Sequence, residues 1–182
     1  MFDDFLYNVY RSIRLDKNLY KEPKSFGNIS LLYAAIIVIL CGLAGGLAKN
    51  SVVQFSNLGL IPTTNIIVSA FANIFPWLIW TFLIYVIGVK IFPETKTSAD
   101  FKKILITVGY AQAPCLFRFF TYIPEIIVPI ILLTEIWFLV SLIVGVREIL
   151  NYNSTIKSTG VVALTLLIIT IFGFLLLSQQ FN

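Results

Sequence analysis

The stretch ISLLYAAIIVILCGLAGGLA, residues 29–48, contains no charged side chain. A helix needs about 20 mostly apolar residues to cross the hydrocarbon core of a bilayer, and this stretch is long enough. Further apolar runs follow it along the chain, separated by short loops. The runs are Ile29–Ala48, Ile66–Phe92, Ile104–Phe120, Ile126–Val146 and Gly160–Leu177. We therefore predict an all-α membrane protein with five transmembrane helices.

The composition of the whole chain supports this class. Of its 182 residues, 58% are hydrophobic and only 12% are charged, and the mean hydropathy is +0.91. Soluble domains carry about twice that share of charged residues. We predict one membrane domain at 29–182, preceded by a segment at 1–28 without the pattern of a cleavable signal peptide. Pro76 in the second run predicts a kink.

Basic residues are distributed unevenly between the two ends of these spans. If the N-terminus is cytoplasmic, eleven basic residues lie inside and only Lys49 and Arg118 lie outside. This bias follows the positive-inside rule and predicts a cytoplasmic N-terminus, and five spans then place the C-terminus outside. Attraction to an anionic leaflet explains the net charge of +4 without a nucleic-acid partner. The eleven are Arg11, Arg14, Lys17, Lys21, Lys24, Lys90, Lys96, Lys102, Lys103, Arg147 and Lys157.

The N-terminal stretch MFDDFLYNVYRSIRLDKNLY has apolar residues at helical spacing. They are Phe2, Phe5, Leu6, Val9, Tyr10 and Ile13. The spacing predicts an amphipathic helix on the cytoplasmic face. This helix either lies on anionic lipid, with Arg11, Arg14 and Lys17 as the lipid-binding residues, or docks on the inner loops of the protein itself.

Small residues four positions apart predict where the spans pack against each other. Close approach of helices in lipid depends on such pairs, because there is little hydrophobic drive between them. The pairs are Gly42 and Gly46 in the first span, Gly109 and Ala113 in the third, and Ser141 and Gly145 in the fourth.

The third span contains the string GYAQAP, residues 109–114, near its middle. Pro114 has no N–H to pair with the carbonyl of Tyr110, and an amide such as Gln112 is costly in hydrocarbon. Close packing at Gly109 helps to shield the unpaired carbonyl. It does not explain the glutamine.

Counting along the spans suggests a role for Gln112. A rise of about 1.5 Å per residue places Asn73, Gln112 and Glu135 roughly 12 to 15 Å below the outer surface. We expect these three to form an intramembrane polar cluster, with Glu135 uncharged, facing the interior and hydrogen-bonded to Gln112, Asn73 or both. Alternatively Glu135 faces a partner subunit or a water-filled cleft. Arg118, nearer the surface, is expected to meet Glu125.

Three strings resemble a known family. They are VGYAQAP at 108–114, IWFLVSLIVGVREIL at 136–150 and RLDKNLYKE at 14–22. Over about residues 11–177 the chain resembles the Yip domain family, five-span membrane proteins named for binding Ypt and Rab GTPases in eukaryotes. The resemblance implies an all-helical five-span fold with a cytoplasmic N-terminus. For eukaryotic members it implies roles in vesicle budding, organelle shaping and recruitment of small GTPases.

The chain departs from the eukaryotic pattern at its N-terminus. Its N-terminal region is short and lacks the acidic motif of the aspartate-leucine-tyrosine-glycine-proline type, so we do not expect it to bind a small GTPase. Its richness in lysine, isoleucine and asparagine, with short loops, resembles a bacterial member, which would lie in the cytoplasmic membrane.

The residue types present argue against an enzyme. The chain has no histidine, which a serine-type membrane protease and a bis-histidine haem site would need. An aspartyl protease needs two aspartates within the spans, and the aspartates lie outside the predicted runs. They are Asp3, Asp4, Asp16 and Asp100. We expect no metal and no cofactor, and we expect Cys41 and Cys115 to be free thiols.

Two functions remain open. The first is a non-catalytic scaffold or partner-binding protein of the bilayer, which assembles with itself or with another membrane protein. The second is a carrier of a small solute or of protons that uses the mid-membrane polar cluster. Five spans allow no even inverted repeat, which weighs against the carrier.

Overall fold

The computed structural model describes residues 2–22, 27–55, 65–95, 97 and 99–179. Lys24 and Lys96 lie outside these residues. Within them the chain is helical and has no strand, and five segments are long and apolar enough to cross a membrane. They are Asn28–Gln54, Ile66–Ile91, Phe101–Tyr122, Ile127–Ile149 and Thr155–Leu175. The predicted all-α, five-span fold is confirmed.

The helices follow the chain in a simple order. Helix α1 is Phe2–Ile13, followed by a 3-10 turn at Lys17–Tyr20, and α2 is Asn28–Phe55. The second span consists of α3, Ile66–Ala72, then α4, Ile74–Ile84, then a π-helical segment, Tyr85–Ile91. The third consists of α5, Phe101–Ala111, and a 3-10 helix, Ala113–Tyr122. A 3-10 turn at Pro124–Ile126 leads to α6, Ile127–Ile149, and the last helix is α7, Thr155–Ser178.

Successive spans run in opposite directions, so the bundle has two ends. We call the end that holds Asn28, Phe101 and Ile149 the near end, and the end that holds Ile66 and Tyr122 the far end. At the near end Lys102 Nζ donates to Asn28 Oδ1 at 2.8 Å and ties α5 to α2.

Two of the predicted spans are interrupted helices. The second breaks at Asn73, three residues before Pro76, which leaves the carbonyl of Ala72 without its usual partner. Pro76 itself lies in the first turn of α4. Backbone nitrogens there have no hydrogen-bond partner within the helix, so a proline at this position costs no helical hydrogen bond. The third changes from α to 3-10 geometry at Gln112, just before Pro114. Both breaks therefore follow from prolines.

The third span forms the centre of the bundle. Side chains along α5, including Ile104, Ile106 and Val108, are at most 1% exposed. Helices α2, α4 and α6 pack around α5, whereas α7 packs on α6 and α4 at the periphery. Many outward side chains of α6 and α7 are exposed and apolar, as a lipid-facing surface requires.

Helix α1 docks on the spans. Its Val9 and Ser12 are buried, and Trp137 Nε1 of α6 donates to the carbonyl of Ile13 at 3.1 Å. Phe2, Leu6, Tyr7 and Tyr10 stay exposed. The contact of α1 with Trp137 lies halfway along α6 and not in an inner loop, where the docking alternative places it. The exposed apolar side chains remain suited to lipid.

The loop after the second span is fastened to the loop after α6. Glu94 accepts hydrogen bonds from the backbone and side-chain nitrogens of Asn153 at 3.2 and 3.0 Å and pairs with Lys157 at 3.3 Å. The Tyr152 hydroxyl lies 2.8 and 2.9 Å from the carbonyl oxygens of Gly88 and Phe92 and donates its one proton to either of them. Burial, together with the charge of Glu94, raises the pKa of Tyr152 to about 12.

This junction makes stability depend on pH. The backbone hydrogen bond from Asn153, aided by Lys157, holds the pKa of Glu94 below its ordinary value of 4.5. The contribution of the Glu94 carboxylate to stability is therefore present above pH 4.5. It is lost as the pH falls through the lower pKa that Glu94 has in the folded state. We expect the melting temperature of the wild type to exceed that of Glu94→Gln at pH 7, and the gap to shrink below pH 4.5. A gap that stays constant down to pH 3 would contradict this.

Candidate functional site

The GYAQAP string is the point where three other elements meet the third span. The carbonyl of Tyr110, freed by Pro114, accepts a hydrogen bond from Ser12 Oγ of α1. The carbonyl of Gln112 accepts one from Cys41 Sγ of α2 at 3.1 Å. The Gln112 side-chain oxygen accepts one from Asn73 Nδ2 at 3.0 Å. The string thus binds α1, α2 and the α3–α4 break to the centre of the bundle.

Asn73 lies in this network because of the break that Pro76 imposes. Its amide nitrogen also donates to the carbonyl of Val38 in α2, at 2.8 Å. One side chain therefore joins the second span to both the first and the third. The structure places the Asn73 and Gln112 side chains within hydrogen-bond distance of each other.

The predicted small residues lie at close contacts between helices. A Cβ added at Gly42 would fall 2.6 Å from the carbonyl oxygen of Ser69, and one added at Gly46 would fall 2.8 Å from the Cβ of Ser69. At Gly109 it would fall 2.7 Å from the Cβ of Ala34. No β-carbon tolerates such distances, so α2 touches α3 and α5 through backbone. Ala113 and Pro114 are fully buried beside Gly109.

Gly145 and Ser141 accommodate Tyr20, which sequence reasoning did not single out. The Tyr20 ring packs against the position of Gly145, with ring atoms 3.4 and 3.5 Å from a Cβ placed there. Its hydroxyl lies 3.5 Å from Ser141 Oγ and 3.4 Å from Ser12 Oγ. Tyr20 is 2% exposed. A tyrosine beside a polar string gives no local signal of burial, so only the fold identifies this anchor.

Glu135 does not bond to Gln112 or Asn73, and that expectation is wrong. Its carboxylate pairs with Arg118 Nη2 at 2.5 Å, and Arg118 Nε donates to Thr134 Oγ1 at 2.9 Å. The expected pair of Arg118 with Glu125 is likewise absent from the described residues. Arg118 has a long apolar stem, so its guanidinium reaches a carboxylate that lies deeper than its own backbone.

A cavity of about 110 Å³ lies beside this ion pair. Asn73, Gln112, Arg118 and Glu135 all line it, together with the apolar ring of Phe138. The three predicted cluster residues thus share one cavity, but Glu135 belongs to a pair with Arg118 and the two amides belong to a pair with each other. The side chain of Glu135 is 53% exposed, whereas that of Arg118 is 16% exposed.

Of the three residues expected to bind lipid, Arg11 has a structural role. Its guanidinium pairs with Asp16 at 2.6 Å and Glu22 at 2.9 Å, and it closes the segment after α1 into a hook. The hydrogen bond from Arg11 lowers the pKa of Asp16. Arg14 and Lys17 are exposed, although Arg14 also donates to the Tyr10 hydroxyl at 2.7 Å. Only these two remain candidates for binding lipid headgroups.

The polar contacts described at the site are hydrogen bonds and one ion pair. Among the described residues, no group of three or more metal-ligating side chains comes together. Cys41 and Cys115 are free buried thiols.

The comparisons with known proteins agree with the resemblance read from the sequence. A sequence model described as the Yip1 domain matches residues 15–177. Neither the curated proteins nor the solved structures gave a significant match. The family match covers the docked hook after α1, the whole five-span bundle and the GYAQAP string at its centre. The chain therefore belongs to the Yip1 domain family.

Proposed function

We propose that this chain is a non-catalytic scaffold of the membrane, which assembles with itself or with another membrane protein. The observation that carries the proposal is that polar groups in the middle of the bundle are used to join its helices. Asn73 bridges three spans, and Trp77 Nε1 of α4 donates to the carbonyl of Leu105 in α5 at 2.9 Å. Such bonds build a rigid body and offer no reactive group.

The peripheral helix α7 is the best candidate for the partner-binding face. A Cβ added at Gly160 or Gly173 would have no neighbour within 4 Å. Glycine inside a helix costs roughly 0.5–1 kcal/mol relative to alanine, so its presence at an open surface suits the close approach of a partner helix. Exposed Leu167 and Phe174 add apolar area to the same helix.

Affinity purification of the tagged full-length chain in mild detergent, with mass spectrometry of cross-linked products, tests the scaffold. We expect a recurrent membrane partner or a second copy of the chain, and a several-fold lower yield of it with Gly160→Leu or Gly173→Leu. Ile168→Leu on the same helix keeps the size of the side chain and serves as the control. Recovery of the wild-type chain with no partner above background would contradict the proposal.

The carrier is a second candidate, supported by the Arg118–Glu135 ion pair that lines a cavity within the spans. Charged residues at membrane depth often mark transport pathways. Uptake of labelled solutes or protons into proteoliposomes tests it, with Glu135→Gln as the variant. The carrier requires uptake by the wild type that the folded variant loses, whereas a scaffold gives no uptake with either protein.

The proposed orientation has a cytoplasmic N-terminus and an outside C-terminus in the cytoplasmic membrane of a bacterium, supported by the basic bias of the loops. A reporter active only in the cytoplasm is expected to work when fused near Met1 or in the loop Pro93–Ala99, and to be silent at Asn182. An active reporter at Asn182 would contradict this orientation. Binding of a small GTPase is not part of the proposal.

A further inference from the structure

A second, larger cleft opens at the far end, between α2 and α3. Its volume is about 420 Å³, and it adjoins the small cavity beside Glu135 through Asn73, Pro76 and Arg118, which line both. Its lining residues extend from Lys49, in the last two turns of α2, to Pro76. Pro76 lies about ten residues from the far end of the second span, which is roughly 15 Å at about 1.5 Å per residue.

The charges that line this cleft have one sign. Lys49 and Arg118 are the two basic residues that the sequence places toward the far ends of the spans, and the fold brings both to the same cleft. No carboxylate is found among the described residues that line it. Glu135, the partner of Arg118, lies on the side of the small cavity.

Arg118 has one edge of its guanidinium left for a ligand. Its Nε donates to Thr134 and its Nη2 to Glu135. Within the described part of the chain, Nη1 makes no hydrogen bond. The neighbouring ion pair fixes the orientation of the guanidinium, and Arg118 lines the cleft.

Three glycines form much of the wall that α2 contributes, between Cys41 and Lys49. Gly42, Gly45 and Gly46 line it, and a Cβ added at Gly45 would have no neighbour within 4 Å. A residue with a side chain at position 45 would occupy the space that now forms the cleft. The glycines therefore have two roles. Gly42 and Gly46 allow the close approach of α3, and Gly45 leaves the space that forms part of the cleft.

We propose that this cleft binds a phosphate group, held between Lys49 Nζ and Arg118 Nη1. A phosphate diester carries one negative charge, which balances the net charge of +1 left by Lys49, Arg118 and Glu135 together. Its oxygens accept charge-assisted hydrogen bonds from both cations. The phosphate belongs either to the headgroup of a phospholipid, whose acyl chains would lie outside the cleft, or to a free anion.

Binding to the purified full-length chain in detergent micelles tests the site. Native mass spectrometry would follow dioleoylphosphatidylglycerol, with uncharged dioleoylglycerol for comparison, and inorganic phosphate would be added as a competitor. We expect one phosphatidylglycerol bound per chain in preference to dioleoylglycerol. Lys49→Gln and Gly45→Leu are each expected to weaken this binding about tenfold, the effect of losing one charge-assisted hydrogen bond or the space for the ligand.

Matched controls separate binding from misfolding. Val128→Leu enlarges an exposed side chain of α6 that is not among the described residues lining the cleft, and it is expected to bind as the wild type does. Arg118→Gln alone would strand Glu135, so the double variant Arg118→Gln, Glu135→Gln is used, with an expected loss similar to that of Lys49→Gln. Melting temperatures of all variants identify any that unfold.

The outcomes distinguish the two sources of phosphate. Displacement of the lipid by millimolar inorganic phosphate supports a free anion as the ligand, and retention of the lipid supports a headgroup. Equal binding of dioleoylglycerol and phosphatidylglycerol, or wild-type affinity in both Lys49→Gln and Gly45→Leu, would overturn the proposal.

Discussion

Arg118→Met is expected to lower the free energy of unfolding by about 3 kcal/mol, the low end of the loss when one partner is removed from an ion pair at membrane depth. Methionine replaces the stem of Arg118 but leaves the carboxylate of Glu135 in the bilayer region without its partner. Thr134 also loses the donor to its hydroxyl. The low end applies because the side chain of Glu135 is half exposed. When Arg118 is lost, the carboxylate can turn toward a more polar environment, which recovers part of the free energy.

A double-mutant cycle measures this pair. The double variant Arg118→Met, Glu135→Leu removes both charges and is expected to recover most of the loss, because replacing a whole ion pair with apolar groups is close to neutral. Reversible unfolding in mixed micelles provides the free energies. Additive losses in the two single variants and the double variant would show that Arg118 and Glu135 contribute independently, contrary to the contact in the structure.

Gly42→Ala is expected to destabilise the bundle by about 2 kcal/mol, within the range for overpacking a close contact. The new Cβ would lie 2.6 to 2.8 Å from the carbonyl oxygens of Ser69 and Ala70 and from the Cα of Ala70. These are backbone atoms, so the contact is relieved only if α2 and α3 move apart. Such a shift would also loosen the bond of Asn73 to Val38.

The neighbouring glycine supplies the control for this prediction. Gly45→Ala introduces the same methyl group three residues later, where it meets no neighbour within 4 Å. It is expected to cause no loss and to raise stability by up to about 1 kcal/mol, because alanine favours the helix more than glycine does. Unfolding of both variants under the same conditions tests the pair, and equal losses would show that the effect does not come from the contact with α3.

The two anchors of α1 connect the N-terminal segment to the stability of the GYAQAP string. Ser12 satisfies a carbonyl that Pro114 leaves open, and the carbonyl of Ile13 is bound by Trp137. Lys21 pairs with Glu148 at 2.8 Å at the near end. The segment is therefore a structural part of the bundle.

The sequence by itself determined the membrane class, the five spans and the two proline breaks. Hydropathy and the missing N–H of Pro76 and Pro114 are local properties, so they act in the same way whatever the neighbours are. The depth of a residue along a span is local as well. For this reason Asn73 and Gln112 were expected at one level, and the structure joins them.

Only the tertiary structure decided which way each side chain turns and what it meets. The rotation of one span against another depends on packing over its whole length, and a long side chain reaches past the level of its own backbone. Glu135 consequently pairs with Arg118, and Arg118 comes to share a cleft with Lys49. Ser12 meets a carbonyl 98 residues away in the sequence, a contact that no local pattern encodes because it exists only once α1 has docked.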